Sequence, residues 1–275
     1  MNAPALLRRF GLRPDKRLGQ NFLIDENALR KIVEIAPISL EEAVLEVGPG
    51  LGGLTRLLAT QAQKVVAVEL DERLIPILKQ VLSTYPNVQI VQGDILALDP
   101  VQLIDTSHYQ VVANIPYYIT SALVRHLLEA GRRPSCLVLT VQREVAGRIC
   151  ASPGEMSLLA LSVQVYGQPQ IRAHIPAGAF YPSPKVDSAV IRVDIYQQPV
   201  IPHPLLGSFF RLAKAGFSQR RKTLGNALAA GLAWPKSKAE AMLLAAEIDP
   251  RRRAETLSLA EWEALTRQFV GERNL

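Results

Sequence analysis

Between residue 44 and about 196, apolar and β-branched residues come in short unbroken runs, with helical patterns between them. The runs fall at 44–47, 65–70, 88–92, 111–114, 137–141, 158–166 and 189–195. The first five are continuously hydrophobic, as strands are when helices cover both faces of their sheet. Helical spacing fills 55–60, 72–83, 121–129 and 143–150. This alternation predicts an α/β fold, a Rossmann-like doubly wound and mostly parallel sheet of seven strands. Ligands of such sheets sit outside the carboxyl ends of the strands.

After Tyr196 the pattern changes. Pro199, Pro202 and Pro204 punctuate a linker, and helical periodicity takes over at 205–215, 221–230, 238–246 and 259–269. Ser237-Lys238-Ala239-Glu240 and Ser258-Leu259-Ala260-Glu261 both fit the capping box that marks a helix start. The expected organisation is a sheet domain over 1–199 and a small all-helical domain over 200–275. Neither an internal repeat nor a low-complexity tract is present.

Composition places the chain among soluble globular proteins. It has 275 residues, 48 % hydrophobic and 20 % charged, enough to bury a sizeable core. No apolar run reaches the ~18 residues of a membrane span. Cys136 and Cys150 form no close pair, which suggests a reducing compartment. The four histidines are scattered, so neither zinc spacing nor a catalytic triad is indicated, and no metal is expected. The net charge of +6 favours an anionic partner, and its distribution sharpens that reading. Arg8, Arg9, Arg13, Lys16 and Arg17 crowd the N-terminus. Arg211, Lys214, Arg220, Arg221, Lys222, Lys236 and Lys238 lie in a stretch without acids between Asp194 and Glu240. Such clustering is the footprint of a nucleic-acid binder, or else a solvated basic face.

Three strand ends carry ligand-type residues. Glu46-Val47-Gly48-Pro49-Gly50-Leu51-Gly52-Gly53 is a glycine-rich turn between a strand and a helix. Glu69 ends the second strand, about where an acid meets ribose hydroxyls. Gly93-Asp94 ends the third, where a carboxylate can accept from an adenine amine. Together they describe a pocket for an adenosine-bearing cofactor, either a nicotinamide or a methyl donor.

The fourth strand decides between those two. Val111-Val112-Ala113-Asn114-Ile115-Pro116-Tyr117-Tyr118 ends in an amide, a proline and an aromatic. The exocyclic amine of a base is a poor nucleophile, because its lone pair is delocalised into the ring. An Asn oxygen and the Ile115 carbonyl can accept both amine hydrogens and pull the nitrogen toward tetrahedral geometry. Pro116 has no N–H to compete, and Tyr117 offers a face for the base. The plainer alternative is an ordinary proline turn with Tyr117 as packing. Hydride transfer has no evident use for this arrangement, and no His or Lys is placed as its acid or base. Later in the chain, Phe180 either supplies a second aromatic face or packs in the core, and Lys185 is a candidate phosphate contact.

These residues resemble the KsgA/RsmA ribosomal RNA adenine dimethyltransferases, within the class I S-adenosylmethionine-dependent methyltransferases. The likeness covers nearly the whole chain. Leu18-Gly19-Gln20-Asn21-Phe22-Leu23 resembles the family's N-terminal cofactor motif, and Glu46 to Gly50 with Gly52 its methionine-side loop. Asn114-Ile115-Pro116-Tyr117 resembles its catalytic motif, where the commoner form has Leu for Ile115 and often Asn for Tyr118. Phe180 with Pro182, Pro184, Lys185 and Val186 resembles its late aromatic loop, and Phe217 to Leu224 a basic C-terminal signature.

The resemblance implies methyl transfer from S-adenosylmethionine to N6 of two adjacent adenosines in the 3′-terminal hairpin of 16S ribosomal RNA. Each would be dimethylated, with a role in small-subunit biogenesis. It assigns the cofactor to Gln20, Asn21, Leu23, Gly48, Gly50, Glu69, Leu70, Asp94, Ile95 and Asn114. Catalysis falls to Asn114, Ile115, Pro116, Tyr117 and Phe180, and RNA contacts to Lys185, Arg220, Arg221 and Lys222. A monomer in the bacterial cytoplasm is expected, since the Gln20-Asn21 motif begins too early for a long transit peptide. The rivals are an erythromycin-resistance type methyltransferase acting on large-subunit RNA, against which the basic signature argues, and an assembly or transcription factor that lost catalysis.

Overall fold

A computed structural model describes residues 2–106, 108–219 and 221–271. The chain divides into two compact units, residues 1–146 with 168–195, and residues 147–167 with 196 onward.

The first unit is built on nine strands: β1 (Phe22–Leu23), β2 (Ala43–Val47), β3 (Lys64–Glu69), β4 (Val88–Gln92), β5 (Tyr109–Asn114), β6 (Cys136–Gln142), β7 (Gly167–Ile175), β8 (Phe180–Tyr181) and β9 (Ser188–Ile195). Its helices are α1 (Ala3–Arg9), α2 (Glu26–Ile35), α3 (Gly53–Leu58), α4 (Ile75–Val81), α5 (Pro100–Leu103) and α6 (Thr120–Glu129). The boundary between units runs through α7 (Arg143–Ile149). Seven strands form one sheet in the order β4-β3-β2-β5-β6-β9-β7. The pairs from β4 to β6 are parallel, and β9 runs antiparallel to β6. Strand order reverses between β2 and β5, so a ligand crevice is expected at their carboxyl ends. Every residue of β2 is buried, consistent with cover on both faces.

The seventh strand is not where the sequence pattern put it. Residues 158–166 fold as helix α8 (Leu158–Gln164), not as a strand. Ser157 caps it, its side chain accepting from the Ala160 N–H. A helix buried almost all round loses its 3.6-residue signature, so its apolar run reads like a buried strand. The seventh strand is instead β7, where Gln168, Gln170, Arg172 and His174 are exposed at the sheet margin.

In the second unit, α8 groups with α9 (His203–Phe217), α10 (Leu224–Leu232), α11 (Lys236–Ala245) and α12 (Leu259–Gly271). The expected boundary at 199/200 is therefore redrawn. The Val165 and Tyr166 carbonyls accept from the Val200 and Tyr196 N–H groups, and Tyr166 stacks on Phe210. Phe209, Leu212, Leu228, Met242, Trp262 and Leu265 form the buried interior. The Ser258 capping box is formed, Ser258 N–H donating to Glu261 and the Glu261 N–H to Ser258 Oγ. The Ser237 box is not, because Pro235 already occupies the N-cap and α11 starts at Lys236. Among the described residues no helix is long and apolar enough to cross a membrane.

Candidate active site

A cavity of about 210 Å³ opens at the carboxyl ends of β2 to β5, at the strand-order reversal. It gathers residues that lie far apart in sequence. Gln20, Asn21 and Leu23 line it from the N-terminal segment, Gly48 and Gly50 from the turn after β2, and Glu69 and Leu70 from the end of β3. Asp94 and Ile95 follow β4, and Asn114, Ile115, Pro116 and Tyr117 follow β5.

The glycine turn has a backbone reason. Gly48 and Gly50 both hold positive φ, +70° and +58°, a region costly for residues with a Cβ. A Cβ on Gly50 would also stand 2.9 Å from the Phe22 ring. Gly50→Ala is expected to cost on the order of 1–2 kcal/mol through positive-φ strain, with the crowding of Phe22 adding to it. Urea unfolding checks this, and an unchanged midpoint would mean the turn does not need its left-handed backbone.

Glu69 is buried, and its carboxylate accepts from the N–H groups of Gly50 (3.0 Å) and Asp71 (2.9 Å). Burial raises its pKa, while those two backbone N–H groups pull it back down. A carboxylate has about four acceptor sites, so further capacity faces the cavity. Asp94 is exposed at the rim and braces its own turn by accepting from the Leu96 N–H. Glu46 also lines the cavity, only 1 % exposed, and its Oε2 has no hydrogen-bond partner among the described residues. Burial pushes its pKa up to about 8; the Thr55 hydroxyl lowers it and the nearby Glu69 charge raises it further.

Gln20 is engaged at both ends of its amide. It donates to Asp71 (2.7 Å) and accepts from the Asp15 N–H (2.8 Å). Asp71 takes a bidentate pair from Arg73, which holds its carboxyl below the usual range, with Gln20 adding to the effect. The network fastens the N-terminal segment beside the end of β3.

At β5, Asn114 Nδ2 donates to the Asn21 carbonyl at 3.3 Å. That contact orients the amide and leaves Oδ1 as its acceptor. Among the described residues nothing donates to the Ile115 carbonyl. Tyr117 is half-buried, its hydroxyl bonded to Ser188 Oγ at 2.7 Å. The short helical turn Tyr117–Ile119 also brings Tyr118 to the cavity mouth.

One expectation is corrected by the geometry. Phe180 is 3 % exposed and belongs to the apolar cluster with Leu23, Val112 and Val138; Leu23 reaches the cavity lining, whereas Phe180 does not. Its strand β8 pairs with β1 in the register Leu23↔Phe180, and alternation turns the ring to the core. Lys185 is exposed beside Gln142, Arg143 and Asp187, not at the cavity. Arg221 and Lys222 are exposed in the second unit, whereas Arg220 lies outside the described residues. Reading the sequence placed Phe22, Glu46 and Tyr118 inside motifs without giving any of them a role of its own, and it missed Asp71, which no motif signalled.

Comparison with known proteins agrees with this geometry. The ribosomal RNA adenine dimethylase family model matches residues 11–269. A Dehalococcoides mccartyi protein named ribosomal RNA small subunit methyltransferase A is 47 % identical over 96 % of this chain and 91 % of its own. A Geobacillus kaustophilus protein of the same name is 44 % identical over 95 % and 92 %. Among solved structures, the 23S rRNA methyltransferase ErmE is 29 % identical with a TM-score of 0.73, over 90 % of this chain and 99 % of its own. A Plasmodium falciparum dimethyladenosine transferase shares the fold at 24 % identity and a TM-score of 0.79, over 92 % and 98 %. A match this long, over a cavity at the switch point of a seven-stranded sheet, makes the protein a methyltransferase and a member of the ribosomal RNA adenine dimethylase family.

Proposed function

We propose that the chain transfers methyl groups from S-adenosylmethionine to N6 of two adjacent adenosines in the 3′-terminal hairpin of small-subunit ribosomal RNA. It dimethylates each, acting as a monomer in the bacterial cytoplasm. The observation that carries this reading is the Asn114 amide, committed through Nδ2 to Asn21 and so offering Oδ1 beside an Ile115 carbonyl to which nothing donates among the described residues.

The cavity fits the cofactor. Bare glycine backbone at Gly48 and Gly50, acceptor capacity on Glu69, an orphaned oxygen on Glu46 and the apolar Leu70 and Ile95 suit a nucleoside joined to a cationic amino-acid tail. Gln20, Asn21, Leu23 and Asp94 complete its surroundings. Bound there, S-adenosylmethionine supplies an electrophilic methyl on a good leaving group. The protein's part is positioning and electrostatics. The adenine stacks on Tyr117, whose ring is held through Ser188. Asn114 Oδ1 and the Ile115 carbonyl accept the two amine hydrogens and turn the nitrogen lone pair out of conjugation. Pro116 keeps a competing N–H away. No strong general base is required, since the alkylated nitrogen sheds its proton to water.

Mass spectrometry of nucleosides, after incubation with labelled S-adenosylmethionine and under-methylated small subunits, tests the proposal. Dimethyladenosine at the adjacent pair is expected. Transfer to large-subunit RNA alone would favour the second reading, a resistance-type enzyme, for which the likeness to ErmE speaks. Arg221 and Lys222 contact phosphate in this reading. Replacing each by Ala should lower the steepness of affinity against salt by roughly one ion. Binding to small subunits measured across a salt series checks it, and an unchanged slope would remove these residues from the interface.

A further inference from the structure

Tyr118 is 59 % exposed, yet it lines the cavity mouth beside the half-buried Tyr117. Large aromatics on a protein surface are worth explaining when they sit at a site, and this ring is also held in place. A Cβ on Gly19 would stand 3.2 Å from Tyr118 Cδ1 and 3.4 Å from Cε1, so bare backbone packs against one side of the ring. The rest faces solvent. Successive residues of a three-residue-per-turn helix project about 120° apart. Tyr117 and Tyr118, neighbours in such a turn, therefore cannot clasp one base between them. Phe180 is buried in the core and offers no outward face.

We propose that Tyr118 is a stacking platform for a second nucleobase, the one adjacent to the base held on Tyr117. This rests on the proposed methylation of adjacent adenosines and adds a binding residue to that site. Opening a hairpin loop to present one base also unstacks its neighbour, and an exposed ring at the mouth returns a stacking partner to it. When the first adenosine is finished, the two bases exchange places between Tyr117 and Tyr118.

The test measures methylation of under-methylated small subunits by wild type, Tyr118→Ala and Tyr118→Phe, with S-adenosylmethionine affinity measured separately. Tyr118→Ala should raise KM for the particle roughly ten-fold, the size of one base–aromatic stack. It should leave cofactor affinity unchanged and leave more particles with only one of the two adenosines modified. Tyr118→Phe keeps the ring and should restore wild-type behaviour. An unchanged KM and product distribution in Tyr118→Ala would overturn the proposal. A parallel loss of cofactor affinity would also overturn it, by making the ring a prop for the Gly19 loop. Should wild type itself transfer nothing to small subunits, the functional reading falls first and takes this one with it.

Discussion

Asn114→Ala should lower kcat for methyl transfer by on the order of 10²–10³-fold, the typical loss when one preorganised polar group at a reacting centre is removed. Affinity for S-adenosylmethionine should change little by comparison. The reasoning starts from the Asn114–Asn21 bond, which orients the amide before any substrate arrives. Alanine removes the Asn114 Oδ1 acceptor beside the Ile115 carbonyl and leaves one of the two amine hydrogens without a partner. The lone pair then stays in conjugation with the ring. Asn114 lies on one margin of the cavity, while Glu46, Gly48, Glu69 and Asp94 line the rest of it. Cofactor binding and methyl transfer should therefore separate cleanly. Single-turnover rates together with equilibrium cofactor titration would measure both. Full activity in the variant would remove Asn114 from the reaction, and with it the proposed chemistry.

The second large effect concerns pH and stability. Glu46 titrates near 4.5 when exposed and at about 8 in the folded protein, because burial penalises its charged form. Between those values the folded state holds a proton that the unfolded chain has released, so stability falls as pH rises. The loss begins above pH ~4.5 and is complete above pH ~8, reaching on the order of 3–5 kcal/mol at 1.36 kcal/mol per unit. Glu46→Gln keeps the shape of the neutral acid and cannot ionise. In the absence of cofactor the two proteins should be close in stability at pH 5, and the glutamine variant clearly the more stable at pH 8.5. Urea unfolding at both values is the measurement, the difference between the proteins isolating Glu46 from Glu69. Parallel pH profiles would mean that Glu46 carries its charge throughout.

How much of this was legible in the sequence depends on the range of the physics. Strands β2, β3, β5 and β6 were plain, because burial on both faces writes itself as continuous apolar runs, whereas β4 stands at the sheet edge with no fully buried residue. Also plain was the residue order of the strand-end motifs, which depends on local turns. Residues 158–164 were misread because burial almost all round blurs the helical period, and β7 was missed because Gln168, Gln170 and Arg172 make an exposed margin look like loop. The fate of Phe180 turned on pairing with Leu23, some 157 positions away, and no local pattern carries that register. The Gln20–Asp71 clamp spans 51 positions and was equally hidden. Glu46 was visible as a residue, but its missing partner and raised pKa are consequences of tertiary burial.

The redrawn boundary bears on how such a protein is made and exchanged. The second unit is assembled from two stretches, residues 147–167 and 196 onward, with β7 and β9 of the first unit encoded between them. During synthesis α8 leaves the ribosome before α9 exists, so its apolar sides wait for partners made later. A graft of residues 200–275 onto a relative would leave behind α8 and the Val165 and Tyr166 carbonyls that tether the chain at Tyr196 and Val200. Recombination that respects this fold must move both stretches together, and a crossover at the proline-rich linker alone would divide one unit between two parents.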